Sequence, residues 1–83
     1  MKYTPAQLGE FIRHTRTGLG QTQENLAMTA GTGLRFIIDL EKGKPTCQLG
    51  KALIVLNTLG IKITLTSPVA EPGENMRTDR GSR

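Results

Sequence analysis

With 83 residues and a formal net charge of +4, the chain suits one small domain, whose core buries only about 60% of the surface its unfolded chain exposes. A second copy is the simplest further source of stability. The single cysteine, Cys47, excludes an internal disulfide, and no apolar run approaches the roughly 18 residues of a membrane span, so a soluble cytoplasmic protein in a reducing compartment is expected.

Thr4-Pro5-Ala6-Gln7 is a capping box with proline at the first helical position. Leu8, Phe11, Ile12 and Thr15 follow at helical spacing, which predicts a first helix over 5–17. Arg13 and Arg16 lie toward its end, where cations complement the helix dipole, and Gly18 and Gly20 mark the stop. His14 has no second histidine or metal-ligand cluster beside it and reads as a solvated helix residue.

Residues 22–44 read as two short helices joined by a turn, with Leu26, Ala30, Ile37 and Leu40 spaced to press one stripe onto a common core. Thr22 caps the second helix, expected over 22–29, and Gly31 supplies the sharp turn. A third helix over 34–41 ends at Gly43, with Lys42 and Lys44 beside that end. This is helix-turn-helix geometry.

Over 48–59 apolar residues cover more than half of a fourth helix, at Leu49, Ala52, Leu53, Ile54, Val55, Leu56 and Leu59. Such a helix calls for a second buried face, most simply against another subunit. After Gly60 the period changes from 3.6 to 2: residues 61–66 alternate apolar and polar and predict one β-strand. Nothing else in the chain alternates, so two copies pairing across a dyad would satisfy its backbone. Ile54, Leu56, Ile61, Ile63 and Leu65 are the expected dimer interface. Residues 70–83 have almost no apolar content and balance three acids against three bases, so the whole positive excess lies in residues 1–69, the expected folded domain, followed by a flexible tail.

A helix-turn-helix of this kind meets duplex DNA through phosphates and base edges. Arg35, on the exposed first turn of the third helix, is suited to fork onto guanine O6 and N7; Leu34 offers only an apolar contact to a thymine methyl; Asp39 either accepts from cytosine N4 or orients Arg35. Gln23, at the start of the second helix, is placed to donate to a phosphate, and Lys42 and Lys44 to hold the neighbouring backbone. Phe36 can lie at the core edge, whereas Ile38 faces away from the apolar stripe.

The run from Arg16 to Gly43, with Thr-Gln-Glu-x-Leu-Ala and Ile-x-x-Leu-Glu-x-Gly at its centre, resembles the Xre or lambda-repressor-like helix-turn-helix pattern. The flanks, Tyr3-Thr4-Pro5-Ala6-Gln7-Leu8 and the alternating residues 61–65, are similar to HipB-type antitoxins. The resemblance covers residues 3–66. It implies a mainly α fold, a four- to five-helix lambda-repressor-like domain with one C-terminal strand pairing across a dimer. It also implies repression of its own operon and binding to a HipA-type serine/threonine kinase toxin. Carried onto this chain, it makes Gln23 a phosphate clamp, Leu34, Arg35 and Asp39 base-facing, and Arg16 with Glu41 a partly buried structural ion pair. Gly33 stands where the pattern has a Ser or Thr cap that also touches DNA, and Leu34, Phe36 and Ile38 replace commonly polar residues.

The expected function is a dimeric, operator-binding autorepressor that is also the antitoxin of a kinase toxin. The alternatives are a helix-turn-helix protein-interaction module and a stand-alone phage-type repressor without a toxin. No carboxylate pair, nucleophile with base, phosphate loop or metal cluster stands out, so no enzyme, cofactor, metal or small-molecule substrate is expected.

Overall fold

The computed structural model describes residues 3–69 and contains four helices among them: α1 Pro5–Gly18, α2 Gln23–Ala30, α3 Leu34–Lys42 and α4 Leu49–Thr58. The start of α1 follows from the capping box. Thr4 Oγ1 accepts from Gln7 N at 3.1 Å, and the Gln7 side-chain oxygen accepts from Thr4 N at 3.0 Å. Thr22 caps α2 in the same way, its hydroxyl accepting from Asn25 N at 3.0 Å. Between α2 and α3 the chain reverses at Gly31, whose φ of 75° lies in the left-handed region that glycine occupies at little cost. Thr32 N then donates to Ala27 O at 2.9 Å and closes the end of α2.

The core is shared evenly. The four largest fully buried side chains, Ile12, Leu26, Ile37 and Val55, come one from each helix. Ala27, Leu40, Ala52, Leu56 and Leu59 complete the cluster, with Ala30, Phe36, Cys47 and Ile61 against its margin. Burying a Val, Leu or Ile side chain contributes roughly 1.5–3 kcal/mol, so this cluster is what makes four short helices cooperative. α1 and α2 both pack on α3, and α2 also packs on α4.

α1 meets α3 through two glycines. A Cβ added at Gly9 would stand 2.5 Å from the carbonyl oxygens of Leu40 and Glu41, and one added at Gly43 would stand 2.5 Å from Ala6 Cα. At Gly43 the backbone adds its own demand, with φ at 83°. The first turns of α1 are thereby seated on the end of α3. Because Gly9, Ile12 and Arg16 form the buried face of α1, Leu8 and Phe11 are displaced to its flank, where they stay 36% and 53% exposed.

One expectation about the C-terminal side needs correction, at Leu56. Leu56, assigned from the sequence to a dimer interface, is buried in the chain's own core at 3% exposure, because Ala52, Val55, Leu56 and Leu59 form a single i, i+3, i+4, i+7 stripe facing inward. Ile61, assigned to the same interface, is half-buried against the core, and its N–H donates to Leu56 O at 2.9 Å to finish α4. Ile54, Ile63 and Leu65 remain well exposed. Residues 61–66 form no ladder in the single chain, since no other described segment offers them an edge. The expected tail, residues 70–83, lies outside the described residues.

Candidate nucleic-acid interface

The exposed side of α3 is positioned by a buried polar knot behind it. Arg16 Nε donates to Glu41 Oε2 at 2.6 Å and Arg16 Nη2 to Glu41 Oε1 at 3.1 Å, a two-pronged pair linking α1 to the end of α3. Arg16 Nη1 donates to Gln21 O at 2.7 Å, which holds the α1–α2 connection. Gln23 Nε2 completes the set by donating to Glu41 Oε1 at 3.0 Å. Both charged side chains are nearly inaccessible, at 10% and 3% exposure, and a pair so deeply buried is tolerable only when its remaining hydrogen-bonding capacity is met. Here one carboxylate and one guanidinium tie three helices and one turn.

The Gln23 amide nitrogen carries two hydrogens, one of which is committed to Glu41.

α3 turns a mixed face outward. Leu34 is 38% exposed, and the Arg35 side chain is 70% exposed. Asp39, one turn later, lies between two cations: its Oδ1 is 3.8 Å from Arg35 Nε and its Oδ2 is 3.6 Å from Lys44 Nζ. Asp39 thus pairs with Arg35 and Lys44, while Arg13 pairs within its own helix with Glu10 at 3.5 Å. Lys42 is exposed beside them in the last turn of α3. Gly33 is the N-cap and contributes no side-chain bond; its carbonyl already accepts from Phe36 N at 3.2 Å, Ile37 N at 3.4 Å and Thr32 Oγ1 at 3.3 Å. Its N–H is the group it can offer a phosphate.

The apolar residues of α3 divide. Phe36 is half-buried against the core, and Lys51 Nζ of α4 sits 5.8 Å from its ring centroid, within cation–π range. The Phe36 ring thus supports a cation over its face. Lys51 was not singled out from the sequence; the available signal was its place as the one charged residue of α4. Ile38 is half-buried, and nothing in the structure explains why it is apolar.

His14 is exposed, with its carbonyl accepting from Thr17 Oγ1 at 3.1 Å. Cys47 is a free, half-buried thiol at the core margin. No group of three or more potential metal ligands exists among the described residues, and no described helix is long and apolar enough to cross a membrane.

No family model matches the chain. It is, however, 52% identical over 65 residues to y4mF of Sinorhizobium fredii, an uncharacterized HTH-type transcriptional regulator, with 78% of this chain and 86% of that protein aligned. The chain belongs to the Xre-like helix-turn-helix family of transcriptional regulators. Solved members of similar shape include HipB bound to an O4 20mer, with a TM-score of 0.73 and 26% identity over 83% of this chain and 97% of that one. HipB in a HipA–HipB–O2–O3 complex matches with the same TM-score. The restriction-modification controller C.AhdI of Aeromonas hydrophila matches at 0.64, with 28% identity over 70% of this chain and 88% of that one. These relatives of the family member are a transcriptional regulator and proteins solved in complex with a 20mer or as a restriction-modification controller. Its four helices are the helix-turn-helix fold of HipB.

Proposed function

We propose that the protein is a homodimeric repressor that binds a palindromic operator through α3, controls its own operon, and is the antitoxin of a HipA-type kinase. The observation that carries this reading is the exposed charged face of α3, with Arg35 and Lys44 outward and the buried Arg16–Glu41 knot holding the helix from behind. In this reading Arg35 forks onto a guanine, Leu34 lies against a thymine methyl, and Asp39 belongs to the same base-facing row. Gln23, the N–H of Gly33, Lys42 and Lys44 meet phosphates. The dimer is closed by Ile54, Ile63 and Leu65, all at least half exposed in the single chain, with residues 61–66 of two copies pairing antiparallel. Two α3 helices would then stand about 34 Å apart, reading half-sites one turn apart.

The likeness to HipB in complex with operator DNA and with HipA supports both the duplex and the kinase as partners. Arg35→Ala tests the recognition helix: operator affinity should fall by about 1–3 kcal/mol, with relaxed preference at one base pair. Operator binding that keeps its sequence preference after that change refutes the assignment. Pull-down of a kinase by the full chain tests the antitoxin role.

Leu34, exposed at the head of α3, favours a second reading, in which the helix mainly grips a protein partner. Duplex affinity that falls steeply with salt supports the repressor, and absence of duplex binding at low salt supports the interaction module.

A further inference from the structure

We infer that Asp39 is a positioning and specificity-determining residue that acts through Arg35 and Lys44 instead of reading a base itself. The inference rests on the operator-binding reading above and deepens it. Asp39 carries the exposed face's negative charge, and each of its two oxygens faces a different cation, Arg35 Nε at 3.8 Å and Lys44 Nζ at 3.6 Å. Both separations exceed hydrogen-bond length. The cations are therefore held by charge and remain free to be recruited by a stronger acceptor, while the carboxylate has no oxygen left without a positive neighbour.

The two cations are held differently. Lys44 is also anchored through its backbone, its N–H donating to Asp39 O at 3.0 Å just past the Gly43 turn, so the side chain that leans on Asp39 starts from a fixed point. Arg35 sits one helical turn before Asp39, and the pair engages Nε. Approach from the Nε side leaves the end-on pair, Nη1 and Nη2, as the fork that can meet guanine O6 and N7. A carboxylate held beside Nε thus selects one of the two ways in which an arginine can present two donors.

The same charge acts against binding where Arg35 finds no guanine. On a non-cognate duplex Asp39 faces phosphates, repels them, and keeps Lys44 partly neutralised. On the cognate site Arg35 meets a guanine with its approach already set, and the phosphates draw Lys44 away. Asp39 then separates right from wrong sequences by weakening the wrong complexes, which is specificity through a repulsive element.

The test starts with wild-type protein and a randomised duplex pool, from which the preferred sequence and a scrambled duplex of equal composition are taken. With Asp39→Asn, binding to the scrambled duplex should strengthen and discrimination between the two duplexes should fall about tenfold. On the scrambled duplex the slope of log affinity against log salt should steepen by about 0.9, as Lys44 is freed to neutralise one more phosphate. Asp39→Glu, which keeps the charge within reach of both cations, should restore discrimination. Lys44→Gln should weaken binding to the preferred duplex more than to the scrambled one, because only the preferred duplex draws Lys44 off Asp39, and it supplies a second readout should Asp39→Asn fold poorly by circular dichroism. Unchanged discrimination in Asp39→Asn, or a switch of preferred base at one position with non-cognate binding unaltered, overturns the inference and leaves the operator-binding reading standing. A wild-type chain that selects no sequence refutes that reading itself.

Discussion

α3 and α4 are of similar length and both bury one stripe in the same core, yet they end in opposite conditions. Behind α3 Glu41 meets Arg16 and Gln23, and on its outer side Asp39 meets Arg35 and Lys44. α4 buries Ala52, Val55 and Leu56 but leaves Leu49, Leu53 and Ile54 at 72%, 44% and 50% exposure. Leu49 and Leu53 join Tyr3, Leu8, Phe11, Ile63 and Leu65 around an apolar trough of about 790 Å3. Among the described residues α3 is fixed from behind by its neighbours, while the apolar C-terminal side stays uncovered. An apolar surface of this kind is characteristic of an interface.

The comparison breaks hardest at Glu41. Glu41→Ala leaves Arg16 buried and unpaired, and unfolding by urea should show a loss of about 3–5 kcal/mol, with duplex binding lost in proportion to unfolding. A pair of truncations on neighbouring residues of α4 and the segment after it sharpens the contrast. Leu56→Ala should cost about 2–5 kcal/mol of folding stability, whereas Ile63→Ala should leave the fold intact and weaken self-association, as read by sedimentation across a dilution series. Equal loss of folding stability from both would mean that residue 63 is packed as deeply as residue 56.

Gly9→Ala probes the seat of α1 on α3. Its Cβ would meet the Leu40 and Glu41 carbonyls, a backbone contact that cannot rotate away, so a loss of about 1–3 kcal/mol is expected in the same urea titration. The smallest effect lies at the other end of α3. Gly33 has φ −79° and ψ 155°, open to any residue, and an added Cβ meets nothing within 4 Å. Gly33→Ser should install the missing cap and raise stability by about 0.5–1 kcal/mol, visible as a small increase in Tm.

Much of this was legible in advance because it is local. The Thr4 and Thr22 caps, the left-handed Gly31 and Gly43, and the helix limits to within a residue or two depend on side chains bonding their own backbone three or four positions away. The pairing of Arg16 with Glu41 was reached only through resemblance, since its members lie 25 positions apart, further than any local rule spans. Gln21 and Gln23 joining that knot was not foreseen, because a backbone carbonyl and an amide carry no signal of a distant charge. Leu56 was misplaced although the stripe of residues 52, 55, 56 and 59 was there to be read; the surplus of apolar neighbours on α4 hid which face was inward.

From its residues alone the chain determined four helices, their caps and turns, and a change of period at residue 61, since each arises from contacts within one or two turns of backbone. Tertiary structure decided which apolar residues were used up. Gly9 and Gly43 let α1 close on α3, Leu56 went inward, and Leu49, Leu53 and Ile54 stayed outside. The physical reason is that burial is a property of the packed whole: a helix pattern states which residues can be hidden, and only the positions of the neighbouring helices determine how many are.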